Sequence, residues 1–219
     1  MAKINSIDNK GGSITIDPGS GDSFTQFSIN GTGKYRMGVD DDDSDKFKVA
    51  SGSALGTTDF FIMTSDGERT MPLQPAVLVE MSTTYNNVTG DGSTWTVQFN
   101  QEIFDQNSDF NTGTYTFTAP VTARYFVEAS VQPQFLTSSH TSSTFECVTS
   151  NRTYLLSYVN PYSIVRAAVS NPITLKGCCF VDMDQSDTLT IKLTISGGTK
   201  VVDVPSSTTR TRLGIYMVS

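Results

Sequence analysis

Carboxylates are the residues of this chain packed densely enough to do chemistry. Asp40-Asp41-Asp42-Asp43-Ser44-Asp45 sets five of them in six positions, and Asp182-x-Asp184-x-x-Asp187 sets three more in a second loop. Clustered hard oxygen ligands are what calcium takes. Consecutive Asp residues cannot all face one ion, however, and the spaced pattern of an EF-hand loop is absent. The first cluster reads equally as a solvated hairpin tip whose charge Lys46 and Lys48 offset. Asx-turn chemistry accounts for the second. Calcium at either cluster stays open on the sequence, and no other cofactor is expected.

The single His, His140, stands in the polar stretch Thr137-Ser-Ser-His140-Thr-Ser-Ser-Thr144. A Ser-His-Asp relay needs a positioned nucleophile, and no Gly-x-Ser-x-Gly elbow occurs, so a solvated loop histidine is expected and no catalytic residue is assigned. Cys147 stands alone, whereas Cys178 and Cys179 are adjacent in LKGCCFV. Neighbours in a strand point to opposite faces, so a disulfide between 178 and 179 would be strained. All three are expected to be reduced and mostly buried, and nothing in the sequence suggests a Cys147 bridge to either. With one His, zinc ligation is not expected.

The elements that must position these residues are strands. Ser and Thr supply about a quarter of the 219 residues, and with Gly 17 that composition favours strands and turns over helices. The run from Phe110 to Val131, FNTGTYTFTAPVTARYFVEASV, alternates Tyr115, Phe117 and Ala119 with threonines, then Tyr125, Val127, Ala129 and Val131 with other residues. Period-2 alternation of that kind is a pleated strand with one buried face. Pro120 cannot donate to a ladder and divides the run in two.

A boundary falls in RTMPLQPAV, whose two prolines make a stiff connector. Residues 1–73 read as a hairpin-rich β-module with strands at Ser13–Ile16, Phe24–Ile29, Lys34–Val39, Lys46–Val49 and Phe60–Thr64. Its clearest hairpin sets Tyr35, Met37 and Val39 on one face with Phe47 and Val49. So few large apolar residues would struggle to form a core alone, so packing against other chains is expected. Residues 74–219 carry strands at Pro75–Met81, Trp95–Gln101, Gly113–Thr118, Arg124–Val131, Ser143–Val148, Tyr154–Val159, Ile173–Phe180, Thr188–Ile195, Lys200–Val204 and Leu213–Val218. That spacing suits an all-β, antiparallel jelly-roll sandwich. The last strand is apolar on both faces, which places it centrally or against a neighbouring subunit.

Net charge is −7 and the isoelectric point is near 4.6. An acidic surface repels phosphates and anionic lipids, so nucleic-acid binding is not expected. No 18-residue apolar run argues for membrane insertion. Met1-Ala-Lys-Ile-Asn lacks a signal-peptide hydrophobic region, and synthesis in a cytoplasm is expected.

Asn111-Thr-Gly113-Thr-Tyr115-Thr-Phe117-Thr-Ala-Pro120 followed by Tyr125-Phe126 resembles the central signature of C1q-like (TNF-like jelly-roll) domains. Trp95 and Phe99 upstream, DQSDTLTIKL downstream and the closing LGIYMV with Leu213, Ile215 and Tyr216 fall where that family has core strands. The likeness covers roughly Gln74–Ser219. Ala123 stands where the family usually has Gly, which a negative φ would tolerate. The preceding segment, KYRMGVDDDDSDKFKVASGSALGTTDFFIMTSDGERTMPLQP, resembles the collar found before such domains in bacteriophage fibre and virion proteins.

The resemblance implies a homotrimer, with Trp95, Phe99, Tyr115, Phe117, Tyr125, Phe126, Leu213, Ile215 and Tyr216 as core and trimer scaffold. It also implies that the Asp40–Asp45 tips could converge at a three-fold axis, and it lends a precedent to calcium near the apex. The expected function is that of a non-enzymatic virion structural protein on the virion surface, a decoration or cement protein of the capsid. Its N-terminal module would bind other virion proteins. The alternative is a short tail fibre whose jelly-roll apex touches a host-surface glycan or protein. Exposed members among Tyr85, Tyr158 and Tyr162 would supply contact surface.

Overall fold

A computed structural model describes residues 15–165 and 172–219. The chain divides into two compact units, Met1–Leu73 and Gln74–Ser219.

The first unit is a meander of β1 (Ser23–Ile29), β2 (Thr32–Asp40), β3 (Lys46–Ser51), β4 (Asp59–Met63) and β5 (Arg69–Thr70), antiparallel in that order. Asn30 and Gly31 both take positive φ, 51° and 78°, as a two-residue hairpin loop that follows the strand twist must. Met37 pairs with Val49 and Val39 with Phe47, so the expected hairpin face forms. Of the apolar side chains described in this unit, only Ala50 and Leu55 are buried. Half of the expected Ser13–Ile16 strand lies outside the described residues; Thr15 and Ile16 are not in a strand.

The second unit contains β6 (Ala76–Met81), β7 (Tyr85–Thr89), β8 (Thr94–Thr96), β9 (Gln101–Asp105), β10 (Phe110–Asn111), β11 (Thr116–Thr118), β12 (Ala123–Val131), β13 (Ser142–Thr149), β14 (Thr153–Val159), β15 (Leu175–Met183), β16 (Thr188–Ser196), β17 (Val202–Val204) and β18 (Ser207–Met217). One sheet runs β15-β12-β18-β6-β9, the other β10-β11-β16-β13-β14 with β8 also on β16, and β17 pairs with β7. Strand β6 pairs with β18, β11 with β16, β12 with β15 and β13 with β14, all antiparallel. First with last, second with next-to-last, inward to a central hairpin: this is the winding of a jelly roll. Tyr125, Val127, Ala129 and Val131 of β12 face Phe145, Leu189, Ile191, Leu193 and Ile195 of the other sheet in one apolar core.

Several elements depart from the sequence expectation: β7 and β10 lie outside every expected strand, Ile173–Phe180 shifts to Leu175–Met183, and Lys200–Val204 shortens to Val202–Val204. Trp95–Gln101 is not one strand: Val97 N–H still bonds Ile191 O of β16 at 2.8 Å, whereas Gln101 already pairs with Glu80 of β6. The chain crosses between sheets at buried Phe99, and one continuous strand cannot serve two ladders. Gly113–Thr118 shortens to Thr116–Thr118. Asn111 Oδ1 accepts from Gly113 N and Thr114 N at 2.8 and 3.1 Å, and Tyr115 turns left-handed at φ 58°. Local turn chemistry overrides the Thr alternation there. Strand β18 starts at Ser207, well before Leu213, because its polar first half shows no apolar period. It lies centrally between β12 and β6, and Ala123 is outside the positive-φ region.

Candidate functional site

In the acidic tip, Asp40 caps a single 3₁₀ turn, Asp41–Asp43, by accepting from Asp42 N. Lys48 projects from β3 into the carboxylates. Its Nζ lies 2.7 Å from Asp40 Oδ2, 2.6 Å from Asp43 Oδ2 and 3.5 Å from Asp59 Oδ2, with the side chain 3% exposed. Burial alone would depress the ammonium. Hydrogen bonds to Asp40 and Asp43 and the charge of Asp59 outweigh it and leave Lys48 raised. Asp43 is lowered to about 2, first by its hydrogen bond with Lys46 and then by that with Lys48. The structure thus gathers Asp40, Asp43 and Asp59 around an ammonium and leaves Asp41, Asp42 and Asp45 exposed. Among the described residues no three acidic, Cys or His side chains are grouped as metal ligands.

The second acidic loop is held by its own turn. Asp187 accepts from Ser150 Oγ at 2.7 Å, Asn151 Nδ2 at 2.6 Å and Asp184 N at 2.9 Å, and the Ser150 bond foremost lowers its pKa. Asp182 stands across from Arg124. The Asp187 carboxylate ties the turn together, and the three acidic residues form no ligand group.

His140 corrects the expectation of a solvated loop residue. It is fully buried; Thr137 N donates to its Nδ1 at 2.9 Å, and Nε2 meets Thr199 O at 3.3 Å. With Nδ1 accepting, Nε2 carries the proton and donates. The ring therefore joins two loops and has no free nitrogen for catalysis. Cys178 is a correction too: it is exposed, while Cys147 is buried and Cys179 half-buried.

Several of the scaffold aromatics pack in the core. Phe99, Phe117 and Tyr125 are fully buried, and Phe117 and Tyr125 meet edge-on at 5.4 Å. The Tyr125 hydroxyl donates to Val121 O at 2.7 Å. Leu213 and Ile215 are buried. Trp95 rests on half-buried Tyr85 at 5.7 Å, and Tyr115 packs against the core edge.

Phe126 and Tyr216 point the other way. On the outer face of β15-β12-β18, Phe126 pairs with Phe180 on one side and Tyr216 on the other, both at 5.3 Å between centroids. Phe180 is 63% exposed and Tyr216 50%. The next row of this face holds Cys178, Glu128, Gly214, Leu78 and Phe104. Gly214 has open space above it. Charges of both signs flank the ladder: Arg124 and Asp182 on one side, Lys176 and the Glu128–Arg212 pair (3.7 Å) on the other. A second apolar patch lies on the other sheet, where Leu155 and Tyr158 of β14 and the following Tyr162 are exposed. Sequence reasoning did not single out Phe180 or Leu155. The signal was parity: if Tyr125 faces in, its neighbour Phe126 must face out, and the residues paired with it follow.

No protein-family model matches the chain, and no curated protein matches it. Solved structures share its all-β jelly-roll class. Murine APRIL is 12% identical and covers 66% of this chain and 99% of its own, with a TM-score of 0.47. The globular domain of zebrafish complement 1qA is 15% identical, covering 67% and 98%, with a TM-score of 0.45. Eiger TNF from S. frugiperda is 10% identical, covering 67% and 94%, with a TM-score of 0.48. These neighbours are TNF/C1q-like jelly-roll domains.

Proposed function

We propose that this chain is a non-enzymatic structural protein of a virion, a homotrimer that decorates or cements the particle surface. The observation that carries the reading is the exposed aromatic ladder of Phe180, Phe126 and Tyr216. An apolar patch rimmed by polar groups is a protein-contact surface. Its rim carries both charge signs, so a second copy of the same chain can satisfy it although the protein as a whole is acidic. A ring needs two different patches meeting head to tail. The ladder on one sheet and Leu155, Tyr158 and Tyr162 beside the other supply them.

The first unit takes the role of attachment to other virion proteins. Val39, Phe47 and Met63, then Met37, Val49 and Phe61, form two rows on one face of its single sheet, and none of the six is buried. Among the described residues of this unit no second sheet covers that face, and a lone sheet needs a partner to bury its apolar side. The virion setting itself rests on the sequence resemblance of the collar segment.

Light scattering of the full chain at micromolar concentration tests assembly: a trimer is expected, and a monomer overturns the proposal. Copy counting and antibody labelling on purified particles test location. Hundreds of copies on the capsid are expected, whereas a few copies at the tail, with adsorption blocked by the antibody, replace cementing by host-surface contact.

A further inference from the structure

The two sheets of the second unit press together beside Gly177. The pairing of β13 with β14 shifts between Phe145 and Glu146, so Leu156 is the extra residue of a bulge. A Cβ on Gly177 of β15 would collide with the Leu156 carbonyl oxygen and stand 2.7 Å from Leu156 Cβ. Only glycine lets the strands approach this closely. Two residues on, Cys179 turns inward opposite Val127, and Cys147 faces it from β13 of the opposite sheet. Both thiols are free, and both belong to the one apolar core between the sheets. Strands β13 and β15 bring Cα atoms within 8 Å of each other. Disulfides span Cα separations of about 4.4–6.8 Å, the order of the approach that these two strands make.

We propose that Cys147 and Cys179 form a redox site, which a small disulfide such as oxidised glutathione converts into a covalent staple between the two sheets. Half-buried Cys179 is the entry point. Its thiolate attacks one sulfur of the oxidant, the oxidant's S–S bond breaks, and one glutathione leaves as a thiolate that takes up a proton. Cys147 then gives up its proton and attacks the Cys179 sulfur, expelling the second glutathione as a thiol. Two protein thiols and one oxidised glutathione become one protein disulfide and two glutathione thiols, the oxidant receiving both electrons. The order of attack follows from access: Cys179 is half-buried, whereas Cys147 is fully buried. Cys178, on the opposite face of β15, takes no part.

The test uses the full chain incubated with oxidised glutathione. Alkylated after unfolding without reductant, Cys147 and Cys179 of its three cysteines are expected to be unreactive and free of glutathione, while exposed Cys178 forms no more than a mixed disulfide with glutathione. Peptide mapping should show Cys147 joined to Cys179, and the melting temperature should rise by about 5–10 °C, reversibly with dithiothreitol. Three reactive thiols after prolonged incubation, a bridge to Cys178, or a persistent glutathione adduct on Cys179 each overturn the proposal. Cys178→Ser should leave the reaction intact and Cys179→Ser should abolish it. Should either variant fail to fold, differential alkylation of the unmodified chain still decides.

Discussion

A lysine buried among carboxylates is stable only while its partners remain, because each ion has given up its water. Lys48 is such a residue, and Asp40 beside it is buried as well. Lys48→Met should destabilise the first unit by about 3–5 kcal/mol, read from hydrogen-exchange protection of β2 and β3 amides, since it strands a buried charge. Adding Asp40→Asn should restore part of the loss, and unchanged protection in Lys48→Met would refute the ion-pair account. Asp43 sets a pH dependence. Its folded value, about 2, lies below the ordinary 3.8, so the unfolded chain binds the proton more readily. Its contribution is therefore complete above about pH 4 and is lost as pH falls through 2. An NMR titration of the Asp43 carboxyl should show the low midpoint, and Lys46→Met should move it upward.

Among the elements, β14 and β15 show how one small residue governs packing. Gly177→Ala sets a methyl against the Leu156 backbone and should cost about 1–3 kcal/mol in thermal unfolding. No loss would mean that the bulge yields freely. Much at this scale was legible in the sequence. Tyr125, Val127, Ala129 and Val131 alternate as a half-buried strand must, and they are buried. The shortening of β11 at Tyr115 was not, because the Asn111 side chain's bonds to Gly113 and Thr114 compete with the ladder without disturbing the alternation. Nor was the crossing at Phe99, since a buried residue looks the same in a strand and between sheets.

For the whole molecule, the proposed trimer turns on side chains that do nothing for the core. Phe180→Asp with Tyr216→Asp should give a monomer by light scattering while the β-sheet circular dichroism spectrum persists. Both rings lie on the outer face, so their loss leaves the sandwich packed. A double variant that still sediments as a trimer would assign the contact elsewhere. His140 belongs to this scale too. It stands in a polar stretch of sequence yet is buried where two loops meet.

By itself, the sequence determined the strand class and the inward residues of β12, both of which depend on neighbours a few positions apart. Alternation also implied that Phe126 faces away from Tyr125. The tertiary structure alone decided what depends on distant segments meeting: Lys48 among three carboxylates, His140 between loops, Phe180 and Tyr216 on either side of Phe126, and Cys147 against Cys179. The acidic cluster that dominates the sequence illustrates the difference. Its spacing shows only how many carboxylates are near one another along the chain. The pairing of β3 with β2 places the ammonium that two of them, with Asp59, surround.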